Sequence, residues 1–242
     1  MTLKGPRPDG TAIVRTELLS DTERHCREAL DLHGLVAVRG DPGLGKTESV
    51  RQAGLRSGAN VIDIHLDAGA RGYAVTRGLL RRAHLSTAGE GDELLARCRD
   101  YLREHPRTLV TVDDADFLHR DSLRHLQLLY DEDDLEFGLV LTALDYREAF
   151  ALVPGLESRV TAEMRFAPLA GAVLVETVRA YHPCWADLPR AVLQQLDAEH
   201  CHGIWRHWVT MTRKVLYYQR LYGITSLTLD VVGAALASRR AA

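Results

Sequence analysis

The sequence is short of several residue types, and each shortage narrows what the protein can be. Of its 30 basic side chains only three are lysines, so the position of each lysine is informative. Four cysteines with no paired spacing argue against a disulfide framework and favour reduced thiols in the cytoplasm. No apolar run is long enough to cross a bilayer, so no membrane attachment is expected. The formal net charge is −3, so no overall positive field draws the chain to nucleic acid.

What is present is an ordinary globular composition, with 46% hydrophobic and 26% charged residues in 242 positions. That length suits one α/β domain and a small satellite. Within it, one stretch matches the phosphate-binding pattern G-x-x-x-x-G-K-[ST] at every required position. The stretch reads Gly40-Asp41-Pro42-Gly43-Leu44-Gly45-Lys46-Thr47.

The surroundings of this loop support a nucleotide-binding site. Leu35–Val38 before it is typical of a short buried strand, and the stretch from Glu48 onward is typical of a helix start. Glycines let the backbone N–H groups point at phosphate oxygens, and the helix start adds a partial positive charge. Lys46 is predicted to reach the β- and γ-phosphates and Thr47 to bind Mg²⁺, with the loop and Glu48 forming the nucleotide-binding set.

Strand and helix patterns alternate along the first two thirds of the chain, which predicts a parallel sheet covered on both faces. After residue 168 only helical patterns remain. We therefore expect a flexible arm over residues 1–14, an α/β nucleotide-binding domain over 15–168 and a helical lid over 169–242. The predicted strands are Leu35–Val38, Val61–His65, Leu109–Val112, Leu139–Thr142 and Met164–Phe166.

A second nucleotide element follows the strand Thr108–Val112, which ends in Asp113 and Asp114. An apolar strand that ends in two carboxylates is the form of the second NTPase motif. The first acid, Asp113, is predicted to hold the Mg²⁺ shell, and the second, Asp114, to orient or deprotonate the attacking water.

The helical region leaves two interpretations open. All three tryptophans, Trp185, Trp205 and Trp208, lie there, and they suit either the core of a small domain or a docking surface for a partner helix. Histidines and cysteines over 182–202 suggest zinc, but their spacing fits no common structural zinc pattern.

These motifs resemble those of AAA+ ATPases, and more narrowly those of the DNA-transposition helper ATPases of the Mu B and TniB type. The resemblance covers about residues 15–238 and implies a P-loop NTPase fold of three layers with a small all-α C-terminal lid. The narrower likeness rests on Asp113–Leu118 and the leucine-bearing helix after it.

The resemblance also implies roles for three further residues. Thr142, on the strand Gly138–Leu144, corresponds to the first sensor. Arg159, within Leu156–Val160, corresponds to an arginine finger that acts on a neighbouring subunit. Arg206 corresponds to the second sensor of the lid. One departure matters, because the family usually has Glu where this chain has Asp114. The shorter carboxylate predicts slow hydrolysis with intact ATP binding.

The function implied by this resemblance is an ATPase that oligomerises on duplex DNA when ATP and Mg²⁺ are bound and regulates transposition by target-site selection and transposase recruitment. Ring and filament both remain open. Non-specific phosphate contacts are assigned to a basic segment, although a solvated basic helix explains it equally well. That segment contains Arg71, Arg77, Arg81 and Arg82. The alternative is a loader or nucleotide switch that acts on a protein partner; a metabolic kinase has less support.

Overall fold

The computed structural model describes residues 8–66, 70–151 and 153–237. Its contacts divide the chain into two units. The α/β unit comprises Glu17–Pro42 and Lys46–Phe166. The helical unit comprises Ala167 onward, Gly43–Gly45 and the segment that ends at Thr16. The α/β unit therefore carries most of the predicted nucleotide site.

The α/β unit is built on five parallel strands in the order β2-β3-β4-β1-β5. Apolar runs such as Leu35–Val38 are buried along their whole length, because a parallel sheet has a covered face on each side. In β1, Leu35 and Ala37 join the core of one face, while Val36 and Val38 point to the other. The strands are β1 (Leu35–Arg39), β2 (Asn60–Ile64), β3 (Thr108–Val112), β4 (Phe137–Ala143) and β5 (Val160–Arg165).

Helices cover both faces, so the predicted three-layer α/β architecture is confirmed. The first two helices pack against each other and against β4 and β2, and the third to sixth pack on the opposite face. A 3-10 turn, Ala115–Phe117, follows β3 directly. The helices are α1 (Glu17–Asp31), α2 (Lys46–Arg56), α3 (Ala74–Arg82), α4 (Asp92–Glu104), α5 (Arg120–Tyr130), α6 (Tyr146–Ala151) and α7 (Pro154–Glu157).

One strand differs from its predicted bounds. β5 begins at Val160, four residues before the predicted Met164–Phe166, and ends at Arg165. It pairs with β1 alone and therefore forms an edge of the sheet. Its alternate residues are exposed, so Val160–Glu163 lacks the continuous apolar run of a central strand.

The described residues from 167 to 237 form helices and turns without a strand, which confirms the predicted all-α C-terminal region. Its core is centred on Trp185 and Trp208, whose rings meet edge to face at 5.4 Å. The indole N–H of Trp185 donates to Thr212 and that of Trp208 to Asp197, both at 2.9 Å. The helices are α8 (Gly171–Tyr181), α9 (Arg190–Leu196), α10 (Trp205–Tyr222) and α11 (Leu229–Ala237), with a π-helical turn at Asp197–Cys201.

The segment before α1 groups with the helical unit. His182 Nε2 lies 3.0 Å from the Asp9 carbonyl oxygen, and the Ala12 N–H donates to the Tyr181 carbonyl at 2.8 Å. The described part of the predicted arm is therefore tied to the helical unit, and its first seven residues lie outside the description. The contacts divide the two units between Phe166 and Ala167. The domain boundary predicted at residue 168 stays a prediction.

Two sequence expectations concern a membrane span and a zinc site. Across the described ranges, no helix is long and apolar enough to span a membrane. Among the same residues, no group of three or more His, Cys, Asp or Glu side chains is arranged to hold a metal ion, so the zinc interpretation gains no support. All four cysteines are free thiols.

Candidate nucleotide-binding site

The glycine-rich loop leaves the carboxyl end of β1, where ligands of parallel sheets bind. Gly40 opens the loop with φ +144°, and a Cβ placed there would lie 2.5 Å from the Phe166 carbonyl oxygen. Only glycine fits so close an approach of two backbones. The loop ends where α2 begins at Lys46, so the first N–H groups of this helix face the phosphate-binding position.

Lys46 is the charged centre of the loop, and only 7% of it is exposed. Its ammonium donates to the carbonyl oxygens of Gly40 and Asp41, the second at 3.2 Å. Burial lowers the pKa of Lys46, while the carboxylates of Asp114 and Asp113 oppose that shift. The ammonium now donates to neutral backbone carbonyls. Phosphate oxygens are charged acceptors, so hydrogen bonds from Lys46 to phosphate would be stronger than these.

Thr47 and Asp113 meet although 66 positions separate them. The Thr47 hydroxyl lies 2.9 and 3.0 Å from the two carboxylate oxygens of Asp113, and the Asp113 N–H donates to the Ile64 carbonyl at 3.1 Å. Hydroxyl and carboxylate oxygens are the ligands that Mg²⁺ takes in nucleotide sites. The residues present therefore fit the predicted ion, which when bound neutralises charge on the β- and γ-phosphate oxygens.

Thr142, at the end of β4, reaches the same carboxylate. Its hydroxyl is hydrogen-bonded to Asp113 Oδ1, and it accepts from the Asp114 N–H at 3.3 Å. Asp114 has a left-handed backbone, φ 52° and ψ 47°, and caps the 3-10 turn Ala115–Phe117. Thr142 thus links both acids of the strand tip, and its hydroxyl fixes the backbone that carries the predicted water-orienting carboxylate.

Sequence analysis missed two further residues that contact this cluster. His65 follows β2, and its Nδ1 lies 3.4 Å from the Asp113 carboxylate while its Nε2 lies 2.9 Å from that of Asp63. Asp63 also accepts from the Thr111 hydroxyl at 2.8 Å. The signal that could have found them is the spacing Asp63-x-His65, which points two polar side chains to one side at the carboxyl end of a strand.

The electrostatics of the cluster follow from these bonds. Hydrogen bonds to Asp113 and then to Asp63 raise the pKa of His65 to about 9. Burial alone raises the pKa of Asp113, but hydrogen bonds from His65, Thr142 and Thr47 outweigh it and hold the pKa at about 2. Asp113 is therefore ionised at neutral pH, as a metal ligand must be, and His65 is a cation that stabilises it.

A third acid lies beside the predicted pair. Burial raises the pKa of Asp116, and the charge of Asp114 adds to that effect. Its Oδ1 is buried without a hydrogen-bond partner among the residues described. Asp116 belongs to the motif used for the family resemblance, but it was not among the predicted site residues.

Other predicted residues lie away from this cluster. The Glu48 carboxylate accepts from Arg51 and Gln52 at 2.8 and 2.9 Å, so its side chain is engaged along α2. Arg159 is bonded through two nitrogens to the Asp131 carboxylate and through a third to the Gly155 carbonyl. Their predicted roles stay predictions.

Arg206 belongs to the helical unit, as the second residue of α10. Its N–H donates to the Gly43 carbonyl at 2.9 Å, and Gly43 belongs to the same unit. The preceding Gly203 has φ +72°, and a Cβ there would lie 2.4 Å from the Leu169 carbonyl oxygen. The sensor role of the Arg206 guanidinium stays a prediction.

The four arginines assigned to DNA have different surroundings. Arg77 donates to the Gly89 carbonyl at 3.1 Å and so holds the following loop. Arg71, Arg81 and Arg82 are exposed, and Arg82 is close enough to Asp63 to lower the pKa of that carboxyl. The segment is therefore not a uniform basic face.

A parallel sheet, a glycine-rich loop that opens a helix, and a Thr–Asp pair at the strand ends define a P-loop nucleotide-binding protein. The profile of the family described as AAA domain matches residues 29–150, just over half of the chain. The chain therefore belongs to the AAA-domain family, whose members are in general nucleotide-hydrolysing ATPases that use ATP and Mg²⁺. Comparison with curated protein sequences gave no match.

Solved structures show the same fold at low sequence identity. The RuvB Holliday junction branch migration motor of Thermotoga maritima is similar with a TM-score of 0.64 at 16% identity, over 93% of this chain and 70% of that one. The ORC1 protein of Aeropyrum pernix in complex with DNA gives 0.69 at 19% identity, over 96% and 67%. Drosophila ORC bound to DNA gives 0.67 at 17% identity, over 96% and 64%.

Proposed function

We propose that this chain is a Mg²⁺-dependent ATPase that assembles on duplex DNA in its ATP-bound state. The observation that carries the nucleotide part is the 2.9 Å contact of the Thr47 hydroxyl with the Asp113 carboxylate, beside the buried Lys46 ammonium. The DNA part is supported by the resemblance to transposition helpers. It is also supported by the fold shared with ORC proteins that were solved with DNA.

Each site residue has a proposed role in hydrolysis. Lys46 neutralises the β- and γ-phosphates, Thr47 and Asp113 hold the metal ion, and Asp114 orients the attacking water. The Thr142 hydroxyl keeps Asp114 in place and senses the γ-phosphate. Arg206 contributes positive charge to the same phosphate.

The proposed finger, Arg159, acts on a neighbouring subunit. It directly precedes β5, whereas the glycine-rich loop follows the opposite end of the adjacent parallel strand β1. A strand of five or six residues separates these ends by about 20 Å, so Arg159 cannot reach the nucleotide of its own chain. A finger that acts in trans makes the nucleotide part of a head-to-tail interface, which closes into a ring or continues as a filament.

The narrower form of the proposal is a regulator of DNA transposition that marks target sites and recruits a transposase. It rests on the resemblance of the segment from Asp113 to the leucine-bearing helix α5. Electron microscopy of mixtures of the chain, duplex DNA and a candidate transposase tests it. Recruitment of the transposase only in the presence of ATP supports this form, and recruitment that ignores ATP contradicts it.

Calorimetry with Mg²⁺ and ATP tests the nucleotide site. Lys46→Ala removes a charge-assisted donor and should weaken ATP binding about tenfold to a hundredfold, because such a bond contributes about 1.5–3 kcal/mol. Lys214→Ala is the matched control, since Lys214 lies on α10 of the helical unit. Equal affinities of both variants and the wild type would overturn the proposed site.

A second candidate function has its own support in the helical unit. Large apolar side chains at the end of α10 and the start of α11 are exposed, which is typical of a protein docking surface. They are Tyr217, Leu221, Tyr222 and Leu229. A loader or nucleotide switch would use them to hold a protein partner. Absence of duplex DNA binding at low salt with ATP present would favour this function over the first.

A further inference from the structure

The guanidinium groups of the α/β unit fall into two sets. Most of them neutralise a carboxylate on the same unit; examples are the pairs Arg39–Glu163, Arg56–Glu23, Arg99–Glu132, Arg103–Asp134 and Arg107–Asp31. The guanidinium groups of six other arginines differ, since no hydrogen bond or ion pair joins any of them to a described residue; these are Arg71, Arg81, Arg82, Arg120, Arg124 and Arg165. All six are exposed. Three of them, Arg71, Arg120 and Arg124, lie together at the start of α5.

The fold brings these three residues to one place. The Ser122 hydroxyl donates to the carbonyls before and after Arg71, at 2.9 and 3.2 Å. The His125 ring lies 2.9 Å from the second of these carbonyls and stacks on Tyr73 with ring centroids 4.0 Å apart. Arg71 is therefore held against the first turns of α5.

The helix α5 presents the other two arginines side by side. Arg120 and Arg124 are four positions apart, and side chains at this spacing are neighbours on one face of a helix. Leu123 and Leu126 bury the opposite face of α5, so the arginines point to solvent. Asp121 is the acid of this turn, and it lies 3.2 Å from the ring of His119.

We propose that Arg71, Arg120 and Arg124 form the surface that contacts the phosphates of duplex DNA. The proposal rests on the proposed DNA-dependent function. It keeps Arg71 from the set predicted from the sequence and leaves out Arg77, whose guanidinium is bonded to the Gly89 carbonyl. Guanidinium forks match phosphate oxygens in a bidentate way. These three guanidinium groups lie beside the first turns of α5 and have no partner among the described residues that phosphate would have to displace.

The same surface connects directly to the nucleotide site. The three-residue turn Ala115–Phe117 is followed by Leu118 and His119, and then α5 begins. The Phe117 N–H donates to the Asp114 carbonyl at 3.0 Å, and the Asp114 N–H donates to the Thr142 hydroxyl. The proposed DNA surface is therefore joined to the backbone of Asp114 by one short hydrogen-bonded turn.

Fluorescence anisotropy with labelled duplex DNA, measured against salt concentration with ATP and Mg²⁺ present, tests the surface. The variant combines Arg71→Ala, Arg120→Ala and Arg124→Ala. The matched control combines Arg24→Ala, Arg107→Ala and Arg190→Ala, which removes the same charge from exposed positions elsewhere. The first variant should bind at least tenfold more weakly and lose about three units of the log–log salt slope, one for each phosphate contact.

The outcomes separate this proposal from the one it rests on. If the wild type binds no duplex DNA, the proposed DNA function fails. If the wild type binds and both triple variants bind alike, this surface is wrong while the DNA function stands. Preference for single-stranded over duplex DNA also overturns the duplex assignment. Calorimetry should show unchanged ATP affinity without DNA in both variants, which confirms that each is folded.

Discussion

The charged groups around Asp113 have protein partners, whereas the guanidinium groups of Arg71, Arg120 and Arg124 have none among the described residues. Both regions belong to one unit and are joined by the turn after Asp114. Charge that is already bonded in the free protein keeps its geometry when a ligand arrives. Charge that is exposed and unpaired contributes little until a ligand of opposite sign binds. The first region is therefore suited to chemistry and the second to reversible attachment.

Asp114→Glu should have the largest effect, because it extends the carboxylate by one methylene to the length that the family resemblance implies for the water-orienting acid. Errors of position near 1 Å can cost about a hundredfold in rate. We expect phosphate release to rise about tenfold to a hundredfold with ATP affinity unchanged. Steady-state turnover and calorimetry measure the two quantities. An unchanged hydrolysis rate would mean that the aspartate already positions the attacking water as well as a glutamate does.

Arg56→Ala should destabilise the α/β unit, because it removes a partner from a buried acid. Arg56 donates to Glu23 at 2.6 Å, and the Glu23 side chain is only 8% exposed. Loss of a bond to a buried charged group costs about 1–2 kcal/mol of unfolding free energy. Urea denaturation measures it. No loss of stability would show that paired arginines of this unit are as dispensable as unpaired ones.

The bridge through His65 should make stability depend on pH. Its folded-state pKa of about 9 lies above the ordinary 6.5, so its contribution is complete below pH 6.5 and disappears as the pH rises through 9. His65→Gln should therefore lose about 1 kcal/mol relative to the wild type at pH 6, allowing for solvent screening, and nothing at pH 10. Urea midpoints across this range measure the difference, and a constant gap would contradict the bridge.

Arg124→Ala should have the smallest effect on folding. Substitutions of exposed residues without special contacts change the unfolding free energy by about 0.5 kcal/mol or less. The same urea titration used for Arg56→Ala measures it. A loss comparable with that variant would reveal an intramolecular role for Arg124 and would remove the contrast between the two regions.

The sequence predicted the parts of this protein that local chemistry determines. The glycine-rich loop, the buried strands and the acidic strand tip need particular residues in a fixed order, so a single sequence reveals them. Thr142 was singled out through the family resemblance, because it lies near the end of a strand in the expected motif order, and its sensor role stays a prediction. Thr47 and Asp113 were each predicted to hold Mg²⁺, and the structure brings their side chains to 2.9 Å from each other.

What escaped prediction depends on pairing across the sheet. His65 and Asp63 lie in no motif, and their role appears only when β2 is placed beside β3 so that Asp63 meets Thr111. The early start of β5 was missed because an edge strand lacks a continuous apolar run. The sequence could not decide whether Trp185 and Trp208 are buried or form a docking surface, because aromatic residues in both situations recur at the same helical spacing.

The position of Arg159 has a consequence for how ATPase activity depends on protein concentration. In the proposed mechanism the finger lies one strand length from the triphosphate site of its own chain, so hydrolysis depends on a second copy for that charge. Turnover per molecule would then rise with protein concentration, and most steeply where a scaffold gathers copies together. Hydrolysis by such a protein would depend on its own local concentration and would proceed only where enough copies are close together.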